Sequence, residues 1–396
     1  MIRFLLHIVF ALLNLYSTQK IFGLHPMSLF SVGCIIVCFL LEKKALSSSK
    51  QSKTAGTVIG IIFALLTVLA HYGNFTYSSF GASVFYVLLF AAGLVFSFSI
   101  ISVCVYDELD KLSVSRNGSV PGKTVLLASW AFIFLVFFVF FLAYYPGLYS
   151  PDSLWQLQQA MGDSPLSNHH PIIHTLLIRA VLNFGMMLFN GNLTSATALL
   201  SVVQMLFLSA CMAYSVKTIY DIAGSIKLCA IVVLVFALVP FNIMFSFTHL
   251  KDTWFSGFFL VFCSQLAKRI FGIPDISSSF SNKVLFALSA VGTGLFRSNG
   301  LYALLLLIPF LLFALKKDRT FTLILAVCLI ICFVITGPVY KALGIASIDP
   351  VEYLSVPLQQ VSRVIVDGGK LSDEDYAFIS EVINPSLIPS AYYARI

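Results

Sequence analysis

The sequence predicts an all-α polytopic membrane protein with about 11 to 12 hydrophobic segments. Its 396 residues are 59% hydrophobic and only 10% charged, whereas soluble domains carry roughly 25% charged residues. The mean hydropathy is +0.95. A membrane-spanning helix needs about 20 mainly apolar residues, and such stretches recur along the whole chain. These observations exclude a soluble globular fold and predict that a lipid bilayer surrounds most of the protein.

The hydrophobic segments follow one another with short polar connections. The hydropathy pattern places them near residues 4–22, 27–42, 56–73, 80–106, 124–144, 171–190, 195–216, 227–246, 252–267, 283–297, 300–315 and 320–340. The first begins MIRFLLHIVFALLNLY, with a basic residue and an apolar run but no small-residue cleavage site. We therefore predict a membrane helix there and not a cleaved signal peptide.

Charge and cysteine content exclude two other classes of protein. The net charge of +7 comes from 24 basic and 17 acidic residues. Lys and Arg gather in short loops, as orientation signals do, and no stretch interleaves them with aromatic residues as nucleic-acid grooves do. All eight cysteines fall inside hydrophobic segments, and none forms a CxxC pair. We predict that the cysteines are apolar packing residues and that nucleic acid is not a partner.

Basic loops predict the orientation of the first half of the chain. The linkers 42–55 and 106–123 carry the basic residues Lys43, Lys44, Lys50, Lys53, Lys111, Arg116 and Lys123. Because basic loops stay on the cytoplasmic side, we predict that both linkers and the N-terminus are cytoplasmic. The segment near 124–144 then runs outward. The loop 145–170, which contains no Lys or Arg, should lie on the outer face of the plasma membrane.

The second half of the chain leads to a conflict with this orientation. Its basic turns, predicted to be cytoplasmic, carry Lys268, Arg269, Lys283, Lys316, Lys317 and Arg319. They place loops 246–252 and 297–300 outside, together with the tail after residue 341. Three hydrophobic segments separate loops 145–170 and 246–252, and an odd number of crossings cannot return the chain to the same face. One segment between 171 and 217 must therefore be re-entrant, interfacial or half of a broken crossing, and such a defect indicates a site.

Three regions are predicted. Residues 1–123 form N-terminal transmembrane helices, residues 124–341 form the module with the candidate catalytic residues, and residues 342–396 form a small extracytoplasmic tail. In the tail, LQQVSRVIV predicts a helix and SDEDY a helix start. A tail of about 55 residues is near the lower limit for independent stability, so we expect it to pack on the membrane part or to belong to a longer chain.

The polar loop 145–170 contains the first candidate catalytic residue. Ser150 is a good N-cap and Pro151 a good first helical residue, so Asp152 should open a short surface helix. One face of that helix is polar and consists of Asp152, Gln156 and Gln159. Another face is apolar and consists of Leu154, Leu157 and Met161. We predict an interfacial helix anchored by Trp155 that presents a carboxylate and two amides outward. The alternative is that Asp152 only complements the helix dipole.

Elimination selects a second acid. Most of the 17 acidic residues fall in cytoplasmic linkers, basic loops or the tail, which leaves Asp152, Asp163 and Asp252 on the outer face of the membrane region. Asp163 follows a glycine in GDSP and is typical of turn chemistry. Asp252 follows Lys251 in FTHLKDTWF and should begin a helix at the outer boundary. An ordinary helix start with an acidic first turn is the alternative for Asp252.

Two further polar clusters lie on the predicted outer face. SNHHPIIHTLL brings His169, His170 and His174 close together, and His170 and His174 share a helical face. With a carboxylate they could bind a divalent metal ion, the alternative being interfacial hydrogen bonding. FRSNGLY places Arg297 beside Asn299 in a polar interruption, where a guanidinium would suit a phosphate. The alternative for Arg297 is snorkelling to the interface.

These motifs resemble the GT-C superfamily of membrane glycosyltransferases, which includes the protein O-mannosyltransferases and the aminoarabinose transferases. More narrowly, YPGLYSPDS, SNHHPIIHTLL, LKDTWF and FRSNGLY resemble a group of uncharacterised bacterial polytopic proteins allied to that superfamily. The resemblance covers roughly residues 124–341. Two features depart from the superfamily pattern, because four helices precede the module and the tail is shorter than a typical extracytoplasmic domain.

The resemblance implies an inverting transfer of a sugar from a polyprenyl-phosphate donor to an envelope glycan, lipid or protein acceptor at the outer membrane face. Asp152 would be the general base, and Asp252 would orient the acceptor or a divalent ion. Arg297, with Lys251, would stabilise charge on the departing phosphate. The candidate substrate-binding residues are Arg297, Asn299, Lys251, Gln156, His169 and His170, and the candidate metal ligands are His170 and His174.

Two other classes of function remain open at the level of sequence. A transporter or flippase of a lipid-linked or small envelope substrate would place ionisable residues and broken helices near mid-membrane. The candidate polar residues instead cluster at one face, which favours chemistry at the surface. A non-catalytic scaffold whose tail binds partners would leave this outer cluster without a role.

Overall fold

The computed structural model describes residues 2–23, 28–71, 79–111, 120–273, 279–314, 319–346 and 354–392. In these ranges the regular structure is helical, and extended pairing is limited to two isolated β-bridges. Together with the length and apolarity of the helices, this confirms the predicted all-α polytopic membrane protein. Arg116, Lys316 and Lys317, which contributed to the predicted orientation, lie outside the described residues.

The chain divides into two compact units, Met1–Val114 and Ser115–Ile396. The first unit contains four helices, α1 (Ile2–Phe22), α2 (Leu29–Ser47), α3 (Lys50–His71) and α4 (Phe80–Lys111). Gly56 and Gly60 lie against the backbone of Val103 and Ser99, where any Cβ would overlap the neighbouring helix. Small residues one turn apart allow this close approach of α3 and α4.

The second unit contains the region predicted to hold the site and also the predicted tail. Its helices are α5 (Gly122–Ala143), α6 (Pro151–Met161), α7 (Ile172–Leu188), α8 (Leu193–Ala223), α9 (Ile226–Leu238), α10 (Pro240–Ser246), α11 (Lys251–Ile270), α12 (Phe280–Phe296), α13 (Ser298–Ala314), α14 (Thr320–Val334), α15 (Tyr340–Ala342), α16 (Ser355–Val366), α17 (Asp373–Val382) and α18 (Ile388–Ala391). A single π-helical turn, Ile335–Val339, joins α14 to α15. The helices α16 and α17 confirm the two helices predicted in the tail.

Several helices are long and apolar enough to cross a bilayer. Among the described residues there are five such helices: α3, most of α4, α5, α8 and the continuous stretch Thr320–Ala342. A sixth is added if the bent pair of α9 and α10 counts as one span. The axes of α9 and α10 differ by 60° across their break, where Pro240 begins the second helix. The chain is therefore a multi-pass membrane protein.

The helix α7 begins at one end of the second unit. Near its start, the ring of His174 lies 6.1 Å from the ring of Phe296, which ends α12. Near its other end, Gly185 packs so closely on α8 that a Cβ there would lie 2.8 Å from Ala196 Cα. The 17 residues of α7 therefore run from Phe296 to the first turns of α8.

This path bears on the predicted conflict in the number of crossings. Ser201, which follows Ala196 in α8, contacts Pro146 and His249, so this level of α8 coincides with both polar loops. Ala196 precedes Ser201 by about one and a half turns, so it lies even closer to the N-terminal end of α8. Both ends of α7 thus lie toward the end of the second unit that holds the two polar loops. Between the two loops, α8 and the bent pair of α9 and α10 have the length and apolarity of a span, whereas α7, with 17 residues, is one of the shorter apolar helices.

The last long helix returns the chain to this same side. Ser167 and Ala346 form a parallel β-bridge, in which Asn168 N–H donates to Ala346 O over 2.9 Å. The loop after α6 and the segment after α15 are therefore neighbours. The first residues of the predicted tail lie beside the loop that carries the histidines.

Candidate active site

Two polar loops that are distant in sequence pair at one end of the second unit. Leu148 and Thr248 form a parallel β-bridge. Leu148 N–H donates to Phe247 O over 3.0 Å, and His249 N–H donates to Leu148 O over 3.1 Å. This short pairing places the start of α6 beside the start of α11, because each helix follows its loop within a few residues.

A buried histidine fixes the paired loops to α8. Ser201 Oγ donates to Pro146 O over 2.7 Å and lies 2.8 Å from His249 Nε2. Since the serine proton goes to the carbonyl, Nε2 must carry the imidazole proton and donate. His249 is only 2% exposed, and this burial lowers its pKa to about 4. It is therefore a neutral structural histidine.

Glycine is required where the first loop passes this histidine. Gly147 has a φ of +132°, a backbone conformation that L side chains rarely adopt. A Cβ at Gly147 would overlap Ser201 Oγ and lie 3.1 Å from both His249 Nε2 and Phe247 O. The Pro-Gly of the first loop therefore lets two backbones approach each other closely.

Asp152 stands at the N-terminus of α6, as the sequence predicts. The Ser150 hydroxyl accepts from Ser153 N–H, and Ser153 Oγ accepts from Ser150 N–H, so the helix begins with reciprocal caps. Lys251 Nζ donates to Asp152 Oδ2 over 2.9 Å. This hydrogen bond lowers the pKa of Asp152 below its ordinary value, although partial burial opposes the shift. Asp152 is therefore a carboxylate at neutral pH.

Lys251 also contacts the histidine motif. Its ammonium group lies 2.9 Å from His170 Nδ1, and because an ammonium group can only donate, the imidazole accepts there. Burial of His170, followed by the charge of Lys251, lowers the pKa of this histidine to about 4. His170 is thus neutral, and Lys251 joins the start of α6 to the segment before α7.

A second ion pair involves Asp252, the residue that follows Lys251 in the chain. Arg297 Nη1 donates to Asp252 Oδ1, and the guanidinium carbon lies 5.8 Å from the centre of the Phe255 ring. Asp252 follows Lys251 in the chain, so the ion pairs Asp152–Lys251 and Asp252–Arg297 start from adjacent residues of α11. These four residues are called here the charged row. The Asp152 and Arg297 side chains, at its two ends, are 52% and 44% exposed. The carboxylate of Asp152 and the guanidinium of Arg297 are therefore each accessible.

The predicted orientation of α6 is wrong. Gln156 and Gln159 are each only 1% exposed, whereas Leu154 and Met161 are 48% and 44% exposed. The two amides face the protein because polar partners lie there. For example, Gln156 Nε2 donates to Thr175 Oγ1 over 3.0 Å. Asp152 remains accessible because it lies in the first turn. Gln156 is therefore a buried packing residue and does not fit the predicted role in substrate binding.

The predicted metal site does not fit the geometry. His174 is 1% exposed, and its Nδ1 lies 2.8 Å from Gln156 Oε1. His170 Nδ1 faces the ammonium group of Lys251, a position that a cation would have to share. No group of three or more His, Cys, Asp or Glu side chains in the described part of the chain is arranged to hold a metal ion. Asp252, for its part, pairs with Arg297 in place of an ion.

Two other predicted residues flank the charged row. His169 is exposed, and its ring centre lies 4.3 Å from that of His170. Asn299 is exposed in the first turn of α13, two residues after Arg297. Both remain candidates for contact with a ligand at the row.

Sequence reasoning missed Arg179, which supports the site from α7. Its Nε donates to Ala160 O over 2.9 Å and its Nη2 to Gln159 O over 2.8 Å. These carbonyls end α6, so the guanidinium caps that helix at its negative pole. The signal was available, since an arginine within the apolar run IIHTLLIRAVL is costly unless it is paired.

Comparison with known proteins adds a family. A family model described as "Family of unknown function (DUF6020)" matches residues 154–396. No curated protein and no solved structure matches the chain. The matched region contains Lys251, Asp252, Arg297 and the histidine motif, and it begins two residues after Asp152.

Proposed function

This chain belongs to the DUF6020 family, whose model matches more than half of its residues, and we propose that it is an inverting glycosyltransferase. The reaction moves a sugar from a polyprenyl-phosphate donor to a glycan, lipid or protein acceptor of the cell envelope. The charged row is the observation that carries this proposal. It offers a carboxylate and a guanidinium, both partly exposed, at the end of a bundle of apolar helices.

The proposed reaction assigns a step to each end of the row. Asp152 accepts the proton of the acceptor hydroxyl as that oxygen bonds to the anomeric carbon of the sugar. The bond from this carbon to the phosphate oxygen breaks, and its electron pair leaves on the phosphate. Arg297 stabilises that developing charge by hydrogen bonding. The attack from the face opposite the leaving phosphate inverts the anomeric configuration.

The two inner residues of the row act on the outer two: Lys251 affects the pKa of Asp152, and Asp252 affects the orientation of Arg297. Lys251 lowers the pKa of Asp152 by donating to its carboxylate, which favours the ionised base before the acceptor binds. Asp252 holds the guanidinium of Arg297 and so orients the phosphate ligand; we assign it this role in place of orienting the acceptor or a divalent ion. The arrangement supports a reaction that needs no metal ligand from the His170 and His174 pair.

Basic residues support an outer location for the row. Those at the opposite end of the second unit, at or beside helix ends, are Lys123, Lys217, Lys227, Lys268, Arg269, Lys283 and Arg319. By the positive-inside rule that end is cytoplasmic. The row would then face the outside of the plasma membrane, where the tail also lies, and the N-terminus would be cytoplasmic.

Transport is the alternative function. A transporter or flippase of an envelope substrate is expected to place its ionisable residues near the middle of the membrane. Among the described residues of the second unit, the ion pairs lie at the ends of helices, in the loops or in the tail. This distribution favours chemistry at the surface over passage through the bundle.

The experiment measures release of polyprenyl phosphate from a panel of polyprenyl-phosphate sugars by the full chain in proteoliposomes. Release requires no knowledge of the acceptor beyond a mixed envelope extract. Asp152→Asn should lower the rate by about 10²–10⁴-fold, the range of a general base, and Asp163→Asn, on the same loop, should not. Full activity of a folded Asp152→Asn variant would disprove the role of Asp152. Accumulation of unchanged donor across the membrane would establish transport instead.

A further inference from the structure

An apolar cleft lies in the half of the second unit away from the charged row. Its volume is about 400 Å³, which is within the range of small-molecule sites. It is lined by α5, α8, α11 and α12 through residues that include Leu127, Trp130, Ala210, Tyr214 and Val261. Leu127 is 47% exposed, so the cleft opens on the surface that meets the bilayer.

The cleft adjoins a group of charged side chains, called here the lysine cluster: Lys217, Asp221 and Lys268. Lys217 Nζ and Lys268 Nζ lie 2.5 Å and 3.1 Å from Asp221 Oδ2. Two ammonium groups against one carboxylate leave a net charge of +1. The first residue of α5 adds to this field, because a Cβ at Gly122 would lie 3.2 Å from Asp221 Oδ1, and a helix N-terminus is positive.

Tyr214 joins the cleft to the lysine cluster. Its ring lines the cleft, with Lys268 Nζ 4.4 Å from the ring centre. Its hydroxyl oxygen accepts from Lys268 Nζ over 3.2 Å. Among the contacts of the described residues, no acceptor takes the hydroxyl proton of Tyr214. That proton is therefore available to an anionic ligand at the polar end of the cleft.

We propose that the cleft and the lysine cluster bind a monoanionic phospholipid from the surrounding leaflet. One acyl chain fills the apolar cleft, and the phosphate accepts from Tyr214 and is balanced by the net charge of the cluster. Because both the cleft and the cluster lie away from the charged row, this binding does not depend on the proposed transferase reaction.

The test uses native mass spectrometry of the delipidated full chain in detergent. It is titrated with phosphatidylglycerol or with zwitterionic phosphatidylcholine of the same acyl chains. We expect one phosphatidylglycerol to bind in preference to phosphatidylcholine. Lys217→Met should weaken phosphatidylglycerol binding about fivefold, the effect of one lysine near a lipid headgroup, and Lys227→Met, an exposed lysine of α9 on the same side, should not.

One variant separates the cleft from general surface attraction. Ala210→Phe fills the cleft and should abolish specific binding of phosphatidylglycerol. Equal binding of the two lipids by the wild type would overturn the proposal. Unchanged binding by Ala210→Phe would also overturn it.

Discussion

Lys251 Nζ lies 2.9 Å from Asp152 Oδ2, although 99 residues separate the two in the chain. The pairing of Leu148 with Thr248 brings them together, because it aligns the starts of α6 and α11. A carboxylate that opens one helix thus meets an ammonium group that opens another. The contact lowers the pKa of the proposed base, which favours its ionised form before any substrate arrives.

Loss of the lysine charge should change the pH dependence of transfer. Lys251 lowers the pKa of Asp152, so Lys251→Met should raise that pKa. A general base is lost as the pH falls through its pKa, and the acidic limb of the kcat profile should therefore move to higher pH. Lys251→Arg, which keeps the charge, should leave the limb near its wild-type position. An unmoved limb in Lys251→Met would show that Asp152 is not the titrating base.

Arg297 should matter for activity and little for stability. Its side chain is 44% exposed, and exposed ion pairs contribute about 0–1 kcal/mol to folding. If it stabilises the leaving phosphate, Arg297→Gln should lower kcat by about 10²–10³-fold. The melting temperature and the rate of donor cleavage should be measured on the same preparation. A loss of both in parallel would assign Arg297 a structural role only.

Gln156 should matter for stability because it is a buried network residue. Gln156→Ala leaves the polar atoms of His174 and Thr175 without a partner and opens a cavity, at a cost of about 2–4 kcal/mol. Gln158→Ala changes the same residue type on the exposed face of α6 and should change the free energy of unfolding by less than about 0.5 kcal/mol. Thermal unfolding in detergent compares the two variants. Similar melting temperatures would contradict the buried position of Gln156.

Alanine at position 147 should lower stability by more than backbone strain alone, because its Cβ would overlap neighbouring atoms. Gly147 and Gly162 both have positive φ values, so alanine at either position is strained by about 1–3 kcal/mol. Only Gly147 has neighbours in the space of a Cβ, whereas at Gly162 nothing lies within 4 Å. Gly147→Ala should therefore lower the melting temperature more than Gly162→Ala. Equal losses would indicate that Ser201 moves aside without cost.

The path of α7 predicts which residues are accessible from each side of the membrane. In a cysteine-free background, Asp163→Cys and Asn190→Cys, which lie at either end of the α7 region, should react with an impermeant maleimide from the same side. Lys227→Cys, after the full length of α8, should react only from the opposite side. Labelling of residues 163 and 190 from opposite sides would mean that α7 crosses the bilayer.

The sequence was sufficient for the fold class and for the helix that carries Asp152. Hydropathy and charge are local properties, so they predict apolar segments and basic loops without knowledge of packing. Caps are local as well, since Ser150 contacts a residue only three positions away. For the same reason the helix of the tail that Ser372 caps was predictable, because its hydroxyl accepts from Asp375 N–H in the next turn.

The faces of α6 required the tertiary structure. The spacing of Gln156 and Gln159 indicates that they share a face, but which environment that face meets depends on α7. There His174 and Thr175 provide partners for Gln156, and a polar face can then turn inward. Amphipathic spacing predicts that the apolar face of a helix meets the less polar environment. At a membrane surface, that environment can be either the protein interior or the lipid.

The sequence by itself determined that this is a helical membrane protein with acidic and basic residues gathered near the ends of a few helices. Only the tertiary structure decided that Asp152 pairs with Lys251, that Asp252 pairs with Arg297, and that both ends of α7 lie toward the two polar loops. The physical reason is that an ion pair depends on the distance between two atoms, and the fold alone sets that distance for residues far apart in the chain. Local spacing names the charged residues, and packing determines which of them act together.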